Sequence, residues 1–367
     1  MPLLPLLLSQ IRSRGPLTVA EFMELALYHP EFGYYCRAEQ RSGTHGDFYT
    51  SVDVGPLFGA TIAAQLAEMW DILQARGARA FDVVEAGAGN GRLAADVLDA
   101  AASAHPAMYA HLRLTLVERS AAARRAQAER LAPHAPRVVA MRDTLPDGIT
   151  GVIYANELLD ALPVHVVTRT ESGWQEVAVG ERDGALEEVA VPVSGPAVTE
   201  ALSRVHGSAR PGDRIELGLA AADWIRAAGA ALREGFLLLF DYGRDTRTAA
   251  PRGTLTTYRA HRSRPEAWLE DPGGQDLTVH VDLDAVRRAA ADAGLTTSGI
   301  VDQTYFLLAL GLADRLETGH DRRAVMQRLA ARTLMMPGGL GSTMKAMVFA
   351  KDVGTPALTG LASGRLT

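Results

Sequence analysis

The residues best placed to do chemistry are three carboxylates that each close an apolar run. Glu85 ends Phe81-Asp82-Val83-Val84 and stands two positions before the first of three alternating glycines, Gly87, Gly89 and Gly91. Glu118 ends the apolar run 112–117. Asn156-Glu157 ends the run 151–155, with Asp160 three residues further on. Alternating glycines let the backbone turn sharply and let a ligand approach with no Cβ in the way. The helix expected from Arg92 would point its free N–H groups and positive dipole end at that ligand. Glu157 and Asp160 can orient a cationic or hydrogen-rich nitrogen, although Asp160 can equally cap a following helix.

Two nucleotide-type readings fit a strand, glycine turn and helix. A dinucleotide fingerprint is spaced Gly-x-Gly-x-x-Gly, with its acid about 20 residues downstream. Here the spacing is Gly-x-Gly-x-Gly, and the acid, Glu85, precedes the first glycine. That arrangement resembles motif I of class I S-adenosylmethionine (SAM) methyltransferases, whose strand-end acid holds the methionine end of the cofactor. Glu118, ending the next strand, is then expected to accept from both ribose hydroxyls. Asp143, after the third strand, is expected to meet the adenine amino group. Methyl transfer is an in-line displacement on a sulfonium, so the protein mainly positions the nucleophile and tunes its charge.

These residues need a scaffold, and the hydrophobic pattern supplies one. Runs at 81–85, 112–117, 137–141, 151–156, 235–243, 299–306 and 344–350 read as seven strands of an α/β, Rossmann-like sheet. Pro2 to Ile11 form the apolar face of a first helix ended by Gly15-Pro16, and Thr18 with Glu21 makes a capping box for a second. An amphipathic helix from Pro56 carries Phe58, Ile62, Leu66, Met69 and Trp70 into the glycine strand. The weakly periodic, aromatic stretches 28–35 and 46–51 suit a loop that folds over a ligand, which makes Thr50 and Ser51 cofactor candidates. Val164 to Val191 alternates like an inserted β-hairpin or small sheet, and Pro192 to Asp213 reads as a linker. The polar stretches 253–262 and 272–282 read as functional loops. Tyr258, His261 and Asp276 there, with Tyr242 after the fifth strand, are the substrate-binding candidates.

Composition narrows the class. With 367 residues and 47% apolar content the chain can bury a large core, as one elaborated domain or two. A net charge of −6 without a dense Lys/Arg run argues against nucleic acid as partner. The N-terminal leucines are too few to span a bilayer and lack the flanks of an export signal, so no membrane segment is expected. One cysteine, Cys36, leaves no internal disulfide and suits a reducing cytoplasm, the location expected here. No metal is expected, because no His-x-x-x-His or comparable spacing occurs.

Seven motifs stand out together: Gly15-Pro16-Leu17-Thr18, His29-Pro30-Glu31-Phe32-Gly33-Tyr34-Tyr35, Gly46-Asp47-Phe48-Tyr49-Thr50-Ser51, Glu85-Ala86-Gly87-Ala88-Gly89-Asn90-Gly91, Asn156-Glu157-Leu158-Leu159-Asp160-Ala161-Leu162-Pro163, Asp241-Tyr242-Gly243 and Gln275-Asp276-Leu277-Thr278. By these motifs the chain resembles, over residues 3–349, the MidA family, which contains the mitochondrial complex I assembly factor and many bacterial proteins. The resemblance implies a SAM-dependent methyltransferase with an N-terminal helical lid (1–55), a SAM-binding core begun at 56–163 and an inserted β-hairpin region (164–213). The core is completed over 214–351, with a substrate-side insertion at about 244–282 and helices at about 306–336, and a tail at 352–367. Mitochondrial members resemble protein arginine methyltransferases, which implies a guanidinium held by Glu157 and Asp160 beside Asn156, an arginine-containing protein or peptide as partner, and a homodimer as an option. Ala88 and Asn90 depart from the family's usual proline and arginine, and Ala260 from its glycine. A small-molecule or peptide-tailoring methyltransferase and a non-catalytic SAM-binding assembly factor stay open as alternatives. No transit peptide is recognisable, so the reading is a bacterial-type chain.

Overall fold

A computed structural model describes residues 2–36, 50–205, 209–244, 253–259, 262–316, 318–336 and 340–362. Seven strands form the central sheet: β1 (Phe81–Ala86), β2 (Leu112–Val117), β3 (Val138–Arg142), β4 (Ile149–Asn156), β5 (Leu232–Arg244), β6 (Thr296–Asp302) and β7 (Met344–Lys351). Their order is β6-β7-β5-β4-β1-β2-β3, with the short strand Val281–Asp282 beside the end of β5. β1 pairs in parallel with β2 and β4, β2 with β3, and β4 with β5. Only β7 runs antiparallel, inserted between β5 and β6.

Both faces of the sheet are covered, as its near-continuous apolar strands require. Successive side chains alternate: Phe81 and Val83 join one core with Phe236 and Leu238, and Val84 and Ala86 join the other with Leu237 and Leu239. Helix α3 (Pro56–Ala75) lies on the first face with α4 (Arg92–Ala104). Gly59 lets the two approach closely, since a Cβ there would come within 2.5 Å of Asp96 Cβ. The helices Leu219–Ala231 and Leu283–Asp292 cover the second face.

A third core sits beside the sheet. Helix α1 (Leu4–Arg14) stops at Gly15, whose φ of 90° ends the helix. Helix α2 (Val19–Tyr28) opens on the capping box read from sequence: Thr18 Oγ1 accepts from Glu21 N–H at 3.1 Å, and Glu21 Oε2 accepts from Thr18 N–H at 2.8 Å. Leu7, Ile11, Phe22, Met23 and Leu27 bury against Val166, Val177, Val179, Trp268 and Leu277. Phe22 meets Trp268 edge to face, with ring centroids 5.4 Å apart. The N-terminal segment is thus one wall of a packed layer, tied in by Leu17–Thr18 pairing with Gly173–Arg182.

Three expectations change. The stretch 192–213 is not merely a linker: it carries the helix Gly195–Ser203, whose Val198 buries with Val167, Ile215 and Leu217. The sixth strand ends at Asp302, and Gln303–Ala309 is helical because Phe306, Leu307 and Leu310 reach the first core at helical spacing. The polar stretches after Gly253 form a three-stranded antiparallel sheet, in which Thr256–Arg259 pairs with both Arg262–Ser263 and Asp276–Thr278. Among the described residues no helix is long and apolar enough to cross a membrane.

Candidate active site

The order of strands reverses between β1 and β4, and ligands in open α/β sheets bind outside the strand ends at such a point. A cavity of about 1150 Å³ opens there. Its floor is the turn after β1. Gly87, Gly89 and Gly91 have φ values of 66°, 49° and 78°, which L side chains adopt only under strain. Gly87, Ala88, Gly89 and Asn90 line the cavity, whereas Gly91 lies just outside it as the N-cap of α4. Glu118 joins this turn to the end of β2: Oε2 accepts from Gly89 N–H at 2.9 Å and Oε1 from Ser120 N–H at 2.8 Å. Each oxygen keeps a second lone pair for a ligand hydroxyl. Gln127 holds the turn from the far side, donating to the Gly89 carbonyl at 2.8 Å.

Glu85 is 3% exposed and accepts from Tyr154 Oη–H at 2.8 Å. Burial pushes its carboxyl up to about 8, against the opposing effect of that hydrogen bond. Asp143 is exposed on the cavity wall after β3. Thr50 lines the cavity, but Ser51 sits behind it. The Ser51 N–H donates to Glu157 Oε1 at 3.3 Å and its hydroxyl to Gln303 Oε1 at 3.1 Å. Asp53 anchors this turn, accepting from Thr50 Oγ1 at 2.9 Å and pairing with Arg92 at 3.0 Å.

The other end of the cavity is acidic. Glu157 has a φ of 51°, a conformation that costs a non-glycine residue about 1–3 kcal/mol and persists only where surroundings enforce it. They do so here: Glu157 N–H donates to the Phe240 carbonyl at 2.8 Å, and Leu158 and Leu159 N–H donate to Asp241 Oδ2 at 3.2 and 2.7 Å. Glu157 Oε1 also accepts from Asn156 Nδ2–H at 3.0 Å. Burial, chiefly, raises the Glu157 carboxyl to about 8. Burial also raises Asp160 well above the carboxylate range, with further contributions from Asp241, Glu157 and Asp276. No helix follows Asp160, so its alternative role as a cap falls away. Tyr242 and Asp276 line this end. Tyr258 belongs to the strand Thr256–Arg259, and His261 lies outside the described residues, as do positions 46–49 of the aromatic stretch. Among the described residues no group of three His, Cys, Asp or Glu is arranged to hold a metal ion.

Within the aromatic stretch and the Asp-Tyr-Gly triplet, the structure singles out particular residues of this site. Tyr28 and Tyr35 line the cavity from the N-terminal layer, and Asp241 fastens the 157–159 turn from β5. The aromatic run at 28–35 and the Asp-Tyr-Gly triplet were visible, but their distances to Asp160 were not.

The fold, the glycine turn and Glu118 together define a class I SAM-dependent methyltransferase. The donor set fits SAM: Glu118 and the buried Glu85 both line the cavity beside the glycine turn, acceptors of the kind that hydroxyls and a cationic ammonium require. Residues 61–301 match the model of the family described as "Putative S-adenosyl-L-methionine-dependent methyltransferase", and the chain belongs to that family. It is similar to "Protein arginine methyltransferase NDUFAF7, mitochondrial" of Xenopus tropicalis, 30% identical over 85% of this chain and 76% of the relative. The human protein of that name is 30% identical over 88% and 76%. A crystal structure of a COG1565 superfamily member and likely methyl transferase from Burkholderia thailandensis, bound to S-adenosyl-homocysteine, matches with a TM-score of 0.90. It is 30% identical, over 99% of this chain and 95% of that one. A native structure of a COG1565 superfamily protein from the same organism matches with a TM-score of 0.86 at the same identity. The MidA resemblance, the fold and the cofactor stand. The cytoplasmic location does not: these curated relatives are named as mitochondrial proteins, and a single cysteine does not outweigh them.

Proposed function

We propose that this methyltransferase acts on a guanidinium nitrogen of arginine in a protein or peptide. The observation that supports this is Glu157, held in a left-handed conformation at the cavity end where Asp160 and Asp276 also lie. Relatives named as protein arginine methyltransferases point the same way. In this reading Gly87, Gly89 and Glu118 hold the nucleoside side of the cofactor, Glu85 its amino-acid end, and Asp143 its base. Bound SAM supplies a sulfonium methyl as electrophile. Glu157 and Asp160 accept N–H hydrogen bonds from the guanidinium and orient one nitrogen lone pair for in-line attack. Transfer to that nitrogen would break the carbon–sulfur bond, leave S-adenosylhomocysteine with the electron pair, and place the nitrogen proton on a carboxylate of Glu157 or Asp160.

The test is transfer of an isotopically labelled methyl from SAM to a blocked Gly-Arg-Gly peptide, with methylarginine read by mass spectrometry. Glu157→Gln is expected to lower kcat/KM about 100-fold or more while S-adenosylhomocysteine binds as before. Label on no arginine, or equal loss of cofactor binding in the variant, sinks the assignment.

A further inference from the structure

The roof of the cavity has chemistry of its own. Tyr28, the last residue of α2, and Tyr35, seven residues on, stack with ring centroids 5.6 Å apart and both line the cavity. Arg119, next to Glu118, lies over the Tyr28 ring at 4.4 Å and is fixed by Glu24 of α2. The Tyr28 hydroxyl donates to the carbonyl of Ala161, beside Asp160, at 3.1 Å. The Tyr35 hydroxyl donates to Asp276 Oδ1 at 2.6 Å, and that oxygen also accepts from Leu277 N–H at 2.9 Å. The strand carrying Asp276 is bound to the acidic turn, since Val279 N–H donates to the Asp160 carbonyl at 3.0 Å. Two aromatic rings and two carboxylates, Asp160 and Asp276, therefore meet at one end of the cavity. Ring faces attract cations, and a planar guanidinium both stacks on a ring and hydrogen-bonds a carboxylate in its own plane.

We infer that Tyr28, Tyr35 and Asp276 are specificity determinants of the acceptor subsite, selecting a cationic side chain and delivering it to Glu157. This rests on the arginine reading above and extends it to residues of the N-terminal layer. The Tyr35–Asp276 hydrogen bond orients the carboxylate, and the stacked Tyr28 keeps the ring pair at a fixed distance from the acidic turn.

Calorimetry with S-adenosylhomocysteine present tests this, using blocked tripeptides with central arginine, lysine or citrulline, the last a neutral isostere of arginine. The wild type is expected to prefer arginine over citrulline. Tyr35→Phe and Asp276→Asn are each expected to weaken the arginine peptide about fivefold to thirtyfold, leaving citrulline and S-adenosylhomocysteine unchanged. A purely structural role would weaken both peptides alike, and that result, or unchanged arginine affinity, overturns the inference while the arginine reading stands. If the wild type takes lysine but not arginine, and both variants weaken lysine, the cation subsite stands and the guanidinium reading falls. If no peptide binds, both fall. Should Asp276→Asn not fold, Tyr35→Phe decides alone, because it keeps the ring.

Discussion

At the residue scale, the site is a set of acids kept from water. Burial raises Glu85 and Glu157 to about 8 from an ordinary value near 4.5. Where the folded pKa exceeds the unfolded one, the native state holds more protons, and stability falls as pH rises. The contribution of these two acids is complete below about pH 4.5 and is lost as pH rises through about 8. The melting temperature of the ligand-free protein is expected to fall across that window, and the Glu157→Gln protein to fall less steeply. Parallel curves in differential scanning calorimetry would refute the sign for Glu157. An arriving guanidinium supplies the charge that the buried acids lack, so arginine peptides are expected to displace protons. Calorimetry in buffers of different ionisation enthalpy reads that release directly.

At the element scale, the turn after β1 works because its glycines hold positive φ beside a packed neighbour. A Cβ on Gly87 would lie 3.1 Å from Leu158 Cδ1, on top of the strain of φ 66°. Gly87→Val is therefore expected to abolish S-adenosylhomocysteine binding in calorimetry; retained affinity would mean the turn can relax. The N-terminal layer is held by its own core. Phe22→Ala is expected to cost about 3–5 kcal/mol, the range for a fully buried phenylalanine, measured by denaturant unfolding. A cost under 1 kcal/mol would show that α2 is not fixed by the Trp268 contact.

At the scale of the whole molecule, the cavity is assembled from two layers. The central sheet supplies Glu85, Glu118 and Glu157 at its strand ends, and the second layer supplies Tyr28, Tyr35 and Asp276. A ligand that binds only the folded state shifts the unfolding equilibrium by mass action, about 2.7 kcal/mol at one hundred times Kd. S-adenosylhomocysteine at that ratio is expected to raise the melting temperature by about 3–4 °C in a chain this long. NAD at the same concentration is expected to leave it unchanged, and the reverse order would reinstate a dinucleotide site.

The sequence by itself determined the local features. The glycine spacing with its preceding acid, the capping box at Thr18 and Glu21, and the order of apolar runs depend on near neighbours, and each reappears in the structure. The sixth strand stops at Asp302 although Tyr305 and Phe306 suit a strand as well as a helix, because packing of Phe306 against the first core selects the helix. The tertiary structure alone decided which acids share a pocket. Tyr35 and Asp276 are 241 positions apart and meet because Leu17–Thr18 joins the inserted sheet and Trp268 fixes α2. Asp241 was legible only as part of a triplet, and its hold on the backbone of Leu158 and Leu159 follows from β5 lying beside β4. Contacts of that kind are set by how layers bury their apolar faces, and no short stretch of sequence contains them.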